Sequence, residues 1–237
     1  MNLAGLSARI LLAAAATTPG TESRHTADLL YHGNWLPVTP AWRLRFPDDA
    51  AVERYVVGET ETRAWLRTVD ATWIHWRNGR AGPFKVYVSV QPDALPDVFA
   101  CAVDVLAAEG APAFKVSRTA RGLLRPDRMV AYCTSVEQTQ RLVAALSEAL
   151  HDVPPHGVAF TAPARANPAV SWARDPPPSV ASYAPSWRRW VCRKLAGYLH
   201  ASDASDAAGR AAWARARIRA DGVDTSTWAP GRRLWAG

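Results

Sequence analysis

Apolar and polar residues alternate most regularly in "FKVYVSV" (84–90). Phe84, Val86, Val88 and Val90 take one parity there, and Lys85, Tyr87 and Ser89 the other. A period of two predicts a strand. "PDALPDVFACAVDVLAAEG" (92–110) switches to a helical period and stops at Gly110, a normal helix C-cap. "PAFKVS" (112–117) and "RMVAYCT" (128–134) predict two further strands. "SVEQTQRLVAALSEALHD" (135–152) predicts a helix opened by Ser135, with Gln138 completing a capping box. The order is β-α-β-β-α, a split arrangement on one sheet with a single helix layer, and the fold class is α+β. A right-handed crossover makes strands 84–90 and 112–117 parallel, adjacent or one strand apart.

The flanks are less regular. Residues 1–31 predict one or two helices, 32–48 a loop with a short strand, and 48–68 a helix capped by Asp48 or Asp49. "ATWIHW" predicts a strand, and "RNGRAGP" a turn. The Pro-rich stretch 153–182 reads as irregular, followed by helices at about 185–200 and 203–219 and a loosely structured tail. Residues 1–75 are expected to form a helical segment packed on an α+β core, 76–237, that carries C-terminal helices, the whole forming a single domain. The start, "MNLAGLSARILLAAAATTPG", has the outline of a short signal peptide. Its apolar run of only about seven residues favours an amphipathic first helix instead.

Composition narrows the function. With 237 residues, 49% hydrophobic and 21% charged, the chain is an ordinary globular protein. Its net charge of +7 is uneven: residues 1–164 hold 16 basic and 16 acidic side chains, and 165–237 hold 12 and 5. That excess favours an anionic partner such as phosphate or an acidic peptide. In the last helix, Arg210, Arg215, Arg217 and Arg219 surround the axis instead of forming a stripe, and no nucleic-acid motif is visible, so nucleic acid is not the expected partner. Cys101, Cys133 and Cys192 lie far apart without metal spacing, which suits a reducing compartment. No apolar run approaches 18 residues, so a membrane span is not expected and the expected location is the cytoplasm.

The chain has 28 Lys and Arg, but only Lys85, Lys115 and Lys194 are lysine. Two of the three follow phenylalanine in predicted strands. If Phe84, Val86, Phe114 and Val116 face the helices, both lysines and Tyr87 emerge on the opposite, open face. Desolvation and neighbouring cations can lower an amine's pKa there, which makes lysine a general base; arginine cannot serve in that way. The alternative is a pair of lysines snorkelling at a sheet edge. After Lys115, "RTARGLLRPDRMVAYC" brings Arg118, Arg121, Arg125 and Arg128 together, a set suited to clamping phosphate or to forming a solvated loop.

The ordered motifs "KVYVSV", "FKV", "RPDRMVAY", "FTAP", "WARDPP" and "SWRRWVCRKLA" resemble the HopA-type effector-like family, which includes lyases of class V lanthipeptide and thioamitide biosynthesis. The resemblance covers roughly residues 80–200, and more distantly Lys-x-Tyr-x-Ser followed by Phe-Lys is similar to the phosphothreonine lyase effectors. It implies a phosphothreonine-lyase-like fold and β-elimination of phosphate from phosphoserine or phosphothreonine. The substrate would be a precursor peptide phosphorylated by a separate kinase, and no metal or cofactor would be needed. It implies Lys115 as the proton-abstracting base, Lys85 as a phosphate contact, and Tyr87 where the effectors carry an acidic histidine. His75 is a substitute acid, or a packing residue among its tryptophans. Arg125 becomes the phosphate clamp with Arg128 second, Asp127 fixes those arginines, Arg118 and Arg174 are further phosphate ligands, and Tyr132 lines the site. Arg188 or Arg193 would replace the family's final-helix arginine. A non-catalytic protein that binds the precursor or the kinase is the alternative.

Overall fold

The computed structural model describes residues 2–165, 167–181, 186–231 and 234. Helices α1 (Leu3–Thr17), α2 (Ser23–His32), α3 (Pro40–Arg45) and α4 (Asp49–Val56) come first. Strands β1 (Leu66–Val69), β2 (Trp73–Arg77) and β3 (Phe84–Val88) precede α5 (Leu95–Ala108), and β4 (Ala113–Ser117) and β5 (Met129–Cys133) precede α6 (Val136–Ala149). The rest is β6 (Ala162–Pro163), β7 (Val170–Arg174), α7 (Pro178–Ala181), α8 (Trp187–His200), α9 (Ala207–Ala220), β8 (Val223–Asp224) and β9 (Ala229–Pro230). Contacts group the chain into two compact units. The first holds residues 35–158 and 164–172; the second holds 2–34, 159–163 and the chain from 173 onward.

The first unit is the mixed α/β body. Its strands run in the order β1-β2-β4-β5-β3-β7. β4 and β3 are each antiparallel to β5, so they are parallel to one another with β5 between them. Phe84, Val86 and Val88 join Phe114 and Val116 in the core with Leu95, Val98, Phe99, Val103 and Leu106 of α5 and Leu142 and Leu146 of α6. Trp76 stacks on Phe114 at 4.7 Å and meets Phe99 at 5.5 Å, while Trp65 meets Phe114 edge-on at 5.0 Å. Burying such rings contributes several kcal/mol each, and their edge-on and offset geometry adds to that. This face therefore belongs to the helices, and Lys85, Tyr87 and Lys115, at the alternate positions, project to the opposite face.

Local rules explain most of the elements. Asp48 caps α4 by accepting the Ala51 N–H. Ser135 caps α6 by accepting the Gln138 N–H at 3.1 Å. Gln138 reaches back to the Thr134 N–H at 2.9 Å, one residue before the partner an ordinary capping box would use. Gly110 sits at φ 62, which only glycine adopts without strain.

Four expectations need correction. The helix expected over 48–68 ends at Val56, and Leu66–Val69 pairs with β2 as an exposed edge strand. The loop expected at 32–48 contains α3, begun by the Thr39 cap and Pro40. The irregular stretch 153–182 holds β6, β7 and α7. The loose tail holds the antiparallel pair β8–β9.

The second unit is mainly helical and buries Leu3, Ile10, Leu11, Leu30, Val191, Leu195, Leu199 and Ile218. Arg188 is buried there and donates to the carbonyls of Ala159 and Tyr31, so it is a structural cation. Among the described residues, no helix is long and apolar enough to cross a membrane.

Candidate active site

The strand registers assemble the face opposite the core helices in rows. His75 of β2 lies opposite Lys115 of β4, Lys115 opposite Val130 of β5, and Val130 opposite Tyr87 of β3. One row away, Ala113 lies opposite Tyr132, and Tyr132 opposite Lys85. The strand alternation thus places Lys85, Tyr87, His75, Lys115 and Tyr132 on one face, with the two lysines two strand spacings apart, roughly 10 Å of backbone.

Lys115 is half-buried, and its amine lies 3.9 Å from the centre of the Trp73 ring. Its pKa falls from 10.5 to about 8. Burial is the largest cause, followed by the charge of Lys85; Arg125 lowers it further, and Asp127 and Asp70 oppose the fall. The amine is therefore a base near neutral pH. Lys85 lies 5.6 Å from the centre of the Tyr132 ring and keeps its amine on the same face.

Arg125 is delivered by the β4–β5 connection. A 3-10 turn, Gly122–Leu124, runs so close to β4 that a Cβ on Gly122 would stand 1.7 Å from Ser117 Oγ. Only glycine fits this approach. The turn is tied from outside by the Leu36 N–H to the Leu124 carbonyl at 3.0 Å and by the Trp42 indole N–H to the Ala120 carbonyl at 2.7 Å. Arg125 then gives Nε and Nη2 to the two carboxylate oxygens of Asp127 at 2.8 and 3.0 Å. Its guanidinium packs on Trp73 at 4.9 Å and Trp35 at 5.2 Å. Plane and direction are both fixed, as a phosphate clamp requires.

His75 donates from Nε2 to Asp70 Oδ2 at 2.8 Å. That bond, with the Thr72 N–H, holds the Asp70 carboxyl down at about 2. Tyr87 is buried at 3% exposure and stands in the Lys115 row, two strands away.

The remaining residues sort by position. Arg128 is fully buried, donates to the Arg125 carbonyl at 2.7 Å and contacts His156, so it holds the Arg125 backbone in place. Arg118 is bound to the Asp70 carbonyl at 3.1 Å and to Asp49 at 3.5 Å, at the β1–β2 end of the face. Arg121 is exposed, 5.7 Å from the Trp35 ring. Arg174 ends β7 in the second unit, whereas the face described above is built from the first. Arg193 lies in the second unit, exposed on α8.

Sequence reasoning missed Trp73, Trp35, Asp70 and His156. Trp73 carried one readable signal: it precedes His75 by two in a strand and so shares its face. Trp35 and His156 carried none, because they arrive from distant segments.

No family model and no curated protein matches the sequence. Solved structures do. An effector protein from Pseudomonas syringae pv. tomato matches over 96% of this chain and 96% of its own, at 14% identity and a TM-score of 0.53. One from Pseudomonas syringae pv. syringae matches over 97% and 98%, at 13% identity and a TM-score of 0.51. A phosphothreonine lyase effector from Chromobacterium violaceum matches over 60% and 83%, at 13% identity and a TM-score of 0.41. The two likenesses that span nearly the whole chain establish that it shares the fold of those Pseudomonas effector proteins.

Proposed function

We propose that this chain is a phosphoserine or phosphothreonine lyase that eliminates phosphate from a phosphorylated peptide. The observation that carries the reading is Lys115. A half-buried amine with its pKa at about 8 lies on the sheet face turned away from the core helices, with a second lysine and a bidentately held arginine on the same side.

The neutral Lys115 amine takes the proton from Cα. The electron pair left behind forms the Cα=Cβ double bond, and the Cβ–O bond breaks. The phosphate leaves as inorganic phosphate, its charge met by Lys85 and Arg125. Tyr87 shares strand and face with Lys85, and it is assigned to protonate the departing oxygen. His75, on the neighbouring strand, donates to Asp70, which leaves its ring less able to give that proton to a leaving group. The product keeps its peptide backbone as dehydrobutyrine or dehydroalanine.

The finer reading is that the substrate is a ribosomally made precursor, phosphorylated by a separate kinase and matured into a lanthipeptide- or thioamitide-like product. The order of motifs from "KVYVSV" to "SWRRWVCRKLA" supports it. The test incubates the protein with kinase-phosphorylated precursor. Loss of one phosphoric acid from the peptide, absent in Lys115→Ala, is the expected result. Peptide bound but returned intact with the kinase present would favour a non-catalytic binding protein instead.

A further inference from the structure

Trp73 opens β2 on the same face as His75, and the register places it opposite Ser117 of β4. Its indole carries two cations at once, the Lys115 amine at 3.9 Å from the ring centre and the Arg125 guanidinium at 4.9 Å. Two like charges on one ring repel each other, and the arrangement persists because each is held separately. Lys115 is held by its strand, and Arg125 by both carboxylate oxygens of Asp127 and by the Trp35 ring. Trp73 is itself anchored by its backbone N–H to Asp70 Oδ1 at 2.8 Å, the carboxylate that also receives His75. The aromatic surface therefore joins the residues assigned to proton removal and to phosphate capture.

We propose that Trp73 is a positioning residue, a shared seat that holds the Lys115 amine and the Arg125 guanidinium in one geometry, so that a phosphate captured by Arg125 brings its Cα proton to Lys115. The proposal rests on the lyase reading for its purpose, but the seat is a property of the folded protein and can be measured without turnover. The indole acts on Lys115 in two opposed ways. It excludes water, which favours the neutral amine, and its π face attracts the ammonium form. Among the described residues, the other charged and titratable groups on the Lys115 side are His75 on β2, Lys85 and Tyr87 on β3, Tyr132 on β5, Arg125 and Asp127 on the β4–β5 connection, and Asp70 on the β1–β2 turn.

The opposition gives a signature that a purely structural tryptophan would lack. Only three lysines are present, so lysine labelled with carbon-13 at Cε yields three signals, assigned through Lys85→Arg and Lys194→Arg. Trp73→Ala admits water, and the Lys115 titration is expected to move up towards 10.5. Trp73→Leu keeps the apolar cover and removes the π face, so the titration is expected to fall below that of the wild type. Trp73→Phe restores wild-type behaviour. Inorganic phosphate, followed through the same Lys115 signal, is expected to bind about tenfold more weakly to Trp73→Ala as Arg125 loses its platform. Circular dichroism confirms that each variant is folded, and Leu and Phe serve if Ala is not. Identical Lys115 titrations in all folded variants, or unchanged phosphate binding, would overturn the seat. If the titration moves as expected while wild-type protein releases no phosphate from any phosphopeptide, the seat stands and the lyase reading falls.

Discussion

Replacing Lys115 by methionine removes a half-buried amine and keeps a stem of similar length and shape. The fall of its pKa from 10.5 to about 8 corresponds to about 3 kcal/mol by which the fold disfavours the charged form. Below pH 8 the amine is charged in both the folded and the unfolded chain, so the folded state bears the whole penalty. Between about 8 and 10.5 the folded chain has lost the proton while the unfolded chain retains it, and stability rises with pH. Above 10.5 both states are neutral and the penalty is gone. Lys115→Met is therefore expected to stabilise the protein by about 3 kcal/mol at pH 7 while abolishing elimination. Its advantage should shrink as pH climbs from 8 to 10.5. Urea unfolding across this pH range measures the difference, and hydrogen exchange at β4 and β5 amides reports the first unit by itself. A methionine variant less stable than wild type at pH 7, or an advantage that does not change between pH 8 and 10.5, would refute the assignment of a desolvated amine.

The same titration predicts that, if the proposed elimination holds, kcat/KM rises with pH through about 8, because the free protein must present a neutral amine; a profile flat from pH 6 to 9 would contradict this. Lys85→Arg is expected to retain far more turnover than Lys115→Arg, since a phosphate contact needs a positive charge and a base needs a proton it can lose. Equal losses in the two variants would merge their roles. Tyr87→Phe is expected to slow turnover by about 10²–10⁴-fold, with His75→Gln costing less, because the His75 proton is given to Asp70; the reverse order in steady-state rates would move the acid to His75.

Much of the face was legible because strand alternation is rigid. In "FKVYVSV" and "AFKVS" the Phe and Val positions went to the helices, which left both lysines and Tyr87 on the other side. What alternation does not encode is which strand lies between two parallel ones, and β5 took that place. The edge strand Leu66–Val69 was hidden because all four residues are exposed, so burial imposed no period on its sequence. The pairing of Arg125 with Asp127 was legible through their closeness in sequence. The aromatic seat was not: Trp73 and Trp35 look like packing residues until the β4–β5 connection lays a guanidinium on them. Arg128 shows the opposite error, since a cation within a basic run turned out to be buried and bound to the Arg125 carbonyl. Arg188 was likewise spent on the second unit's interior.

Elimination and hydrolysis of a phosphopeptide both release phosphate, and they differ in where the bond breaks and in which proton is lost. A phosphothreonine peptide deuterated at Cα, treated with the protein in heavy-oxygen water, separates them. The expected result is a dehydrobutyrine peptide that has lost its deuterium, phosphate free of heavy oxygen, and a slower rate than for the protiated peptide, with all three signals absent in Lys115→Ala. A threonine product that retains its deuterium, released together with phosphate carrying heavy oxygen, would contradict proton abstraction by Lys115.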